Sequence, residues 1–253
     1  MDLAIQATNL CKDYGARRVV DNINLTVNPG EFFGFLGPNG AGKSTTIKML
    51  CGLLAPTEGQ ATLLGHSMTN PSIEAKRLLG VLSEEASVYE RLSAEELLLF
   101  CGQMHGLPFD EASQRTAELL ALFGLEEAKR RLIVDYSMGM RKKAALAATL
   151  IHGPKVLFLD EPFNGIDPAS VRTIRDVLLQ LTASGTTIFF TSHVMEVVER
   201  LCHRFGVLRG GKLVGLGTLE ELRAQAGISG DLEEVFLALT ESLPEATPKL
   251  SWL

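Results

Sequence analysis

Apolar and polar positions change rhythm along the 253 residues. From Val19 to Val27 they mostly alternate, as in a strand with one buried face. Asn28-Pro29-Gly30 is a turn signal. Glu31-Phe32-Phe33-Gly34-Phe35-Leu36 then reads as a buried strand, which runs into a glycine-rich loop and a helix from Ser44 to about Leu53. Short strands around a helix (Ser72 to Leu79) fill residues 60–83. From about Ala94 to Leu150 the chain is rich in Ala, Leu and Glu at helical spacing and poor in β-branched residues, which predicts a mostly helical insert. Leu150-Ile151-His152-Gly153-Pro154 closes that insert with Gly then Pro, as helix ends often do. Val156-Leu157-Phe158-Leu159 is a continuous apolar run, suited to a parallel strand covered on both faces. A helix (Ala169 to Ala183) and a second apolar strand (Thr186 to Thr191) follow. Strands alternating with helices predict an α/β fold with a parallel sheet. A short helix near Asp231 to Thr240 precedes a tail holding Pro244, Pro248 and Trp252.

Composition narrows the function classes. Hydrophobic residues make up 46% and charged residues 21%, an ordinary globular balance rather than that of a disordered chain. Lys and Arg number 24 against 30 Asp and Glu, a net charge of −6. That balance excludes a binder that neutralises nucleic-acid phosphates across a whole basic face. Neither a basic-then-apolar leader nor a run of the ~20 apolar residues that span a bilayer is visible. The four cysteines are widely spaced and contain no Cys-x-x-Cys, which predicts free thiols in a reducing compartment. The expectation is a cytoplasmic chain without a membrane span of its own.

Two stretches carry chemistry. Gly37-Pro38-Asn39-Gly40-Ala41-Gly42-Lys43-Ser44 fits G-x-x-x-x-G-K-[ST], between a strand and a helix. The glycines let backbone N–H groups turn inward around a phosphate, and the following helix adds its positive end. Lys43 can reach β- and γ-phosphates, and the Ser44 hydroxyl can ligate Mg²⁺. In Val156-Leu157-Phe158-Leu159-Asp160-Glu161, an apolar strand ends abruptly in two acids. The carboxyl ends of parallel strands are where such sheets bind ligands. Asp160 is suited to hold Mg²⁺ through water, and Glu161 to orient and deprotonate an attacking water. Read alone, the pair could be solvated acids capping a strand; the phosphate loop makes catalysis the better reading.

With these motifs on the page, the sequence resembles the ATP-binding subunit of ABC transporters over nearly its whole length. The resemblance extends to Tyr14, in the position of the aromatic that stacks on adenine, and to Thr45 beside Ser44. Tyr136-Ser137-Met138-Gly139-Met140 matches the signature usually written LSGGQ, in which Ser137 and Gly139 would meet the γ-phosphate bound by an opposite subunit. Asn164-Gly165-Ile166-Asp167-Pro168 matches the loop that communicates across the dimer, and Thr191-Ser192-His193 ends in the switch histidine. Without the resemblance, Ser137 would be an ordinary helix cap and His193 a structural residue at a strand end.

The resemblance implies a P-loop NTPase fold. It has a RecA-like core with a mostly parallel sheet, an N-terminal antiparallel β subdomain and an inserted α-helical subdomain. The implied boundaries are residues 1–220 for the ATPase domain, with core parts 1–83 and 151–220 and the helical insert at about 84–150. Residues 221–253 would form a short C-terminal helical extension and tail. The implied ligands are ATP and Mg²⁺. Glu161, His193 and Lys43 are the catalytic set, and Ser44, Asp160 and Glu84 hold the metal. The implied partners are a second ATPase subunit, as a homodimer around two ATP molecules, and an integral-membrane permease docking near Glu84 to Leu99; no nucleic acid is implied. The chain would lie on the inner face of the cell membrane through that permease.

Three departures stand out. Glu84, in Ser83-Glu84-Glu85, takes the place of the family's Gln and brings a negative charge toward the phosphates. Met138 and Met140 replace a Gly and the Gln of the signature. The signature, the Glu-Glu pair and the Asp231 to Thr240 tail most resemble bacterial exporters of drugs, lipids, polysaccharides or ions with a separate permease. A soluble ABC ATPase serving iron–sulfur assembly, repair or ribosome-associated work is the alternative.

Overall fold

The computed structural model describes residues 3–85, 88–192 and 194–240. The N-terminal strand β1 (Ile5–Tyr14) turns through Gly15 into the alternating strand β2 (Arg17–Val27). The chain enters a second sheet as β3 (Phe32–Leu36) and passes through α1 (Lys43–Leu50). It then returns to the first sheet as β4 (Glu58–Leu63) and β5 (His66–Ser67). This first sheet is antiparallel, in the order β2-β1-β4-β5. Next come α2 (Ile73–Arg77) and β6 (Leu79–Leu82). The helical stretch is α3 (Ala94–Met104), α4 (Phe109–Leu122), a 3₁₀ turn over Ile133–Asp135 and α5 (Met138–Leu150). The second sheet is completed by β7 (Val156–Asp160), α6 (Pro168–Ala183), β8 (Thr187–Thr191), α7 (Met195–Leu201), β9 (Arg204–Arg209) and β10 (Lys212–Gly217). Two helices follow, α8 (Leu219–Ala226) and α9 (Leu232–Leu239).

The second sheet runs β10-β9-β3-β8-β7-β6, and every neighbouring pair is parallel except β9 with β10. Its three central strands, β3, β8 and β7, are buried at every position, which is why their centres read as apolar runs. Successive side chains point to opposite faces and feed two cores. On one face Phe33, Phe35, Phe158 and Phe189 pack with α1 and the antiparallel sheet. On the other Phe32, Phe190 and Phe205 pack beneath the helices. The chain leaves β3 with one parallel neighbour on each side, β9 and β8. Such a switch in strand order opens a crevice at the carboxyl ends of the strands.

Helix starts follow local chemistry. Ser93 and Glu96 form a reciprocal capping box at α3, Thr218 and Glu221 one at α8, and Asp167 caps α6 ahead of Pro168. The first helix stops at Leu50, short of the expected Leu53. Gly52 turns left-handed at φ 67°, and the N–H groups of Leu53 and Leu54 fold back onto the Lys48 carbonyl. At the other end, α8 straddles residue 220. Its Leu222, with Leu232 and Val235 of α9, belongs to the same core as Val198 and Leu201 of α7. All four cysteines are free thiols, and burial pushes those of Cys51 and Cys202 well above their ordinary range.

Candidate active site

The loop after β3 packs too closely for side chains at two of its glycines. A Cβ on Gly37 would lie 2.6 Å from the Leu208 carbonyl of β9, and one on Gly42 2.8 Å from the Val19 carbonyl of β2. Gly42 has φ 107° and Gly40 φ 76°, conformations that favour glycine. The loop is thereby held between both sheets, with α1 starting directly from it. Lys43 is buried, and its ammonium donates to the Gly37 carbonyl at 2.7 Å and the Pro38 carbonyl at 3.3 Å. The ammonium thus curls back over its own loop. The first N–H groups of α1 have no partner inside the helix, as at any helix start, and no acid lies in its first turn.

The acid pair closes the opposite wall. Asp160 and Glu161 are 8% and 7% exposed, unusual burial for carboxylates. Thr191, at the end of the neighbouring β8, binds both: its hydroxyl donates to Asp160 Oδ1 at 2.6 Å and accepts from the Glu161 N–H at 3.1 Å. Glu161 has φ 50° and precedes Pro162. A left-handed non-glycine residue costs on the order of 1–3 kcal/mol and persists where its surroundings over-determine it. Here the surroundings do so on both sides of the residue. The N–H is fixed by Thr191, and the carbonyl accepts from the buried Lys142 ammonium at 2.7 Å and from the Asn164 N–H at 3.2 Å.

Loop and acids meet across a cleft of about 660 Å³, lined by Val19, Asn39, Gly40, Gly42, Lys43, Ser44, Thr45, Glu84, Asp160, Glu161 and Asn164. Gly37, Pro38 and Ala41 support the loop from outside that lining. Glu84 is exposed and accepts from Asn164 Nδ2 at 3.2 Å. Tyr14 is 52% exposed and stands outside the lining, with the Lys12 ammonium 5.6 Å from its ring. Ser137 and Gly139 are also outside it. Ser137 is exposed and caps α5 by accepting from the Met140 N–H at 3.3 Å. Gly139 is buried against the start of α6, where a Cβ would lie 2.9 Å from Asp167 Oδ2. His193 lies outside the described residues.

The sequence reading passed over Val19, Thr191 and Lys142 as contributors here. Val19 and Thr191 come close only through the sheets. Lys142 had one local signal: an isolated cation on a helix face of small apolar residues, buried at 4% exposure. Burial pulls its pKa below the ordinary lysine range, and Glu84, Glu161 and Asp160 pull it back.

The donor set suits a hard divalent cation held mainly by other ligands. The Ser44 hydroxyl and the Asp160 and Glu84 carboxylates share the cleft. Among the described residues no group of three His, Cys, Asp or Glu is arranged to cage a metal. Mg²⁺ characteristically takes one or two protein oxygens and completes its shell with phosphate and water.

Comparisons with known proteins agree on one family. The ABC transporter family matches residues 20–164. The linearmycin resistance ATP-binding protein LnrL of Bacillus subtilis is 40% identical over 94% of this chain and 79% of its own length. The daunorubicin/doxorubicin resistance ATP-binding protein DrrA of Streptomyces peucetius is 40% identical over 88% of this chain and 68% of its own. A solved ATP-binding subunit of an ABC transporter superposes with a TM-score of 0.88 at 30% identity, over 94% of this chain and 99% of the other.

Proposed function

The chain belongs to the ABC transporter family as an ATP-binding, ATP-hydrolysing subunit, and we propose that two copies of it drive a separate membrane permease that exports a drug-like molecule. One observation carries the reading. A phosphate-binding loop and a buried, strand-terminal carboxylate pair face each other across one cleft. The resistance functions in the names of LnrL and DrrA support export and speak against a soluble, non-transport ATPase.

In this reading the loop from Gly37 to Ser44, with Thr45, binds the phosphates of ATP. Lys43 exchanges its two loop carbonyls for β- and γ-phosphate oxygens. Ser44, Asp160 and Glu84 would hold Mg²⁺, and the ion would neutralise charge developing on the transferred phosphoryl group. Glu161 takes the proton of the attacking water. Tyr14 stacks on adenine. Because Ser137 is exposed and Gly139 stays outside their own chain's cleft, the signature serves a partner chain's ATP. Each chain of a two-fold pair then supplies both surfaces.

Among the described residues no helix is long and apolar enough to cross a membrane. The permease would dock in a groove of about 510 Å³ between β6 and α3, edged by the exposed Leu53, Tyr89, Phe100 and Met104. This would hold the subunit at the cytoplasmic face of the membrane.

Glu161→Gln tests the hydrolytic reading. The variant should release phosphate from ATP at least ~100-fold more slowly than the parent, bind ATP as well, and double its mass in light scattering when ATP is present. Hydrolysis at the parent rate would remove Glu161 from its role. A monomer at saturating ATP would remove the two-chain reading.

A further inference from the structure

The cleft described above does not account for Lys142. It lies on α5, one turn beyond Met138 and five residues beyond Ser137, yet its ammonium crosses to the acid strand and donates to the Glu161 carbonyl at 2.7 Å. The contact is buried, and the peptide group it grips follows a residue at φ 50°. The Glu161 N–H is already fixed by Thr191 of β8. The Asn164 N–H, the other donor to the Glu161 carbonyl, comes from the same turn at 3.2 Å. Lys142 thus grips Glu161 from the helical segment. The other end of the network is Glu84, which receives Asn164 Nδ2 at 3.2 Å. Glu84, Asn164 and Lys142 also line one opening beside the cleft.

We propose that Lys142 is a positioning residue for hydrolysis: by holding the Glu161 carbonyl it sets the left-handed turn that presents the Glu161 carboxylate to the cleft, and it ties that carboxylate to the helix capped by Ser137. A buried ammonium on a peptide oxygen is a charge-assisted hydrogen bond, stronger and shorter than a neutral one. An α-helix moves as a rigid rod, so a displacement of α5 at its Ser137 end carries Lys142 with it. Engagement of Ser137 by a partner's nucleotide is thereby communicated to the carboxylate of the same chain. Burial lowers the pKa of this ammonium, and the surrounding Glu84, Glu161 and Asp160 oppose that shift. This inference rests on Glu161 being the base.

The test uses the full chain and compares Lys142→Met, which keeps the stem and removes the donor, with Lys142→Arg, which keeps charge and donors. Phosphate release is measured against ATP concentration, together with the affinity for a fluorescent ATP analogue and the melting temperature. The expected result for Lys142→Met is a kcat lower by roughly 10- to 100-fold, the scale of a misplaced catalytic group, with KM and analogue affinity unchanged. Lys142→Arg should regain most of the rate. The proposal is overturned if Lys142→Met keeps the parent kcat, if Arg rescues no better than Met, or if kcat and analogue affinity fall together with the melting temperature. Lys142→Leu carries the same comparison if Lys142→Met does not fold. Glu161→Gln runs in parallel. If it keeps the parent rate, the base assignment fails; if it is inactive while Lys142→Met is not, only the role of Lys142 fails.

Discussion

At the residue scale, the site concentrates charge that a folded core ordinarily excludes. Lys43, Lys142, Asp160 and Glu161 are all more than nine-tenths buried. Buried charges persist when paired and hydrogen-bonded. Here Lys43 holds carbonyls of its loop, Asp160 receives the Thr191 hydroxyl, and Lys142 lies among the acids. Glu84 is the exposed member, tied to the acid turn through Asn164. In our reading it senses the Mg²⁺ of bound nucleotide and couples it to the helical segment. Glu84→Ala should then lower ATP hydrolysis by roughly 10-fold, the low end for loss of a positioned group, without lowering the melting temperature. Phosphate release that matches the parent would remove Glu84 from the mechanism.

At the element scale, α3 and the end of α5 meet through two histidines. His105 caps α3 and His152 follows α5; their rings stack 3.7 Å apart at 13°. His152 Nε2 faces the Leu79 carbonyl of β6 at 3.0 Å, while its buried Nδ1 has no hydrogen-bond partner among the described residues. Burial lowers the His152 pKa from 6.5 to about 4, helped by His105 and Arg115. Burial, then Arg77, also lowers that of His105. Folding thus weakens proton binding at both rings relative to the unfolded chain. The contribution of His152 to stability is complete above pH 6.5 and is lost as the pH falls toward about 4. The melting temperature should therefore drop more steeply between those values in the parent than in His152→Gln. Parallel pH curves for the two would show that the stacked pair does not titrate in this window.

At the scale of the whole molecule, one face of the strand ends is built for nucleotide and another surface for a partner. An apolar groove runs along the seam between β6 and the helical segment, with Tyr89 and Phe100 in edge-to-face contact 5.6 Å apart at its rim. Exposed apolar side chains gathered in one groove mark an interaction surface rather than scattered surface residues. In our reading its occupant is the permease. Phe100→Glu should abolish co-purification with a co-expressed permease while the isolated subunit keeps its ATPase rate and melting temperature. Retention of the permease by that variant would place the interface elsewhere.

The chemistry-bearing stretches are legible in the sequence because their logic is local. Phosphate binding needs glycines, a lysine and a hydroxyl within one turn, and Gly37 to Ser44 supply them consecutively. The fold class is legible for a similar reason: strands buried on both faces are apolar at their centres, as Val156 to Leu159 and Ile188 to Phe190 are. Strands β9 and β10 escaped the first reading. They carry three glycines, with two more in the turn between them, so their periodicity is short; pairing of β9 with β3, and of β10 with β9, stabilises them more than propensity does. The end of α1 is less legible, because the helix stops at Leu50 where Gly52 turns left-handed, although the apolar Leu53-Leu54 follow directly. What tertiary structure alone decided is which groups meet. Val19, Thr191 and Lys142 reach the site from β2, β8 and α5, and Ser137 stands away from its own chain's cleft. Those relations depend on sheet order and helix packing. They join residues separated by up to well over a hundred positions, a distance over which no local pattern carries information.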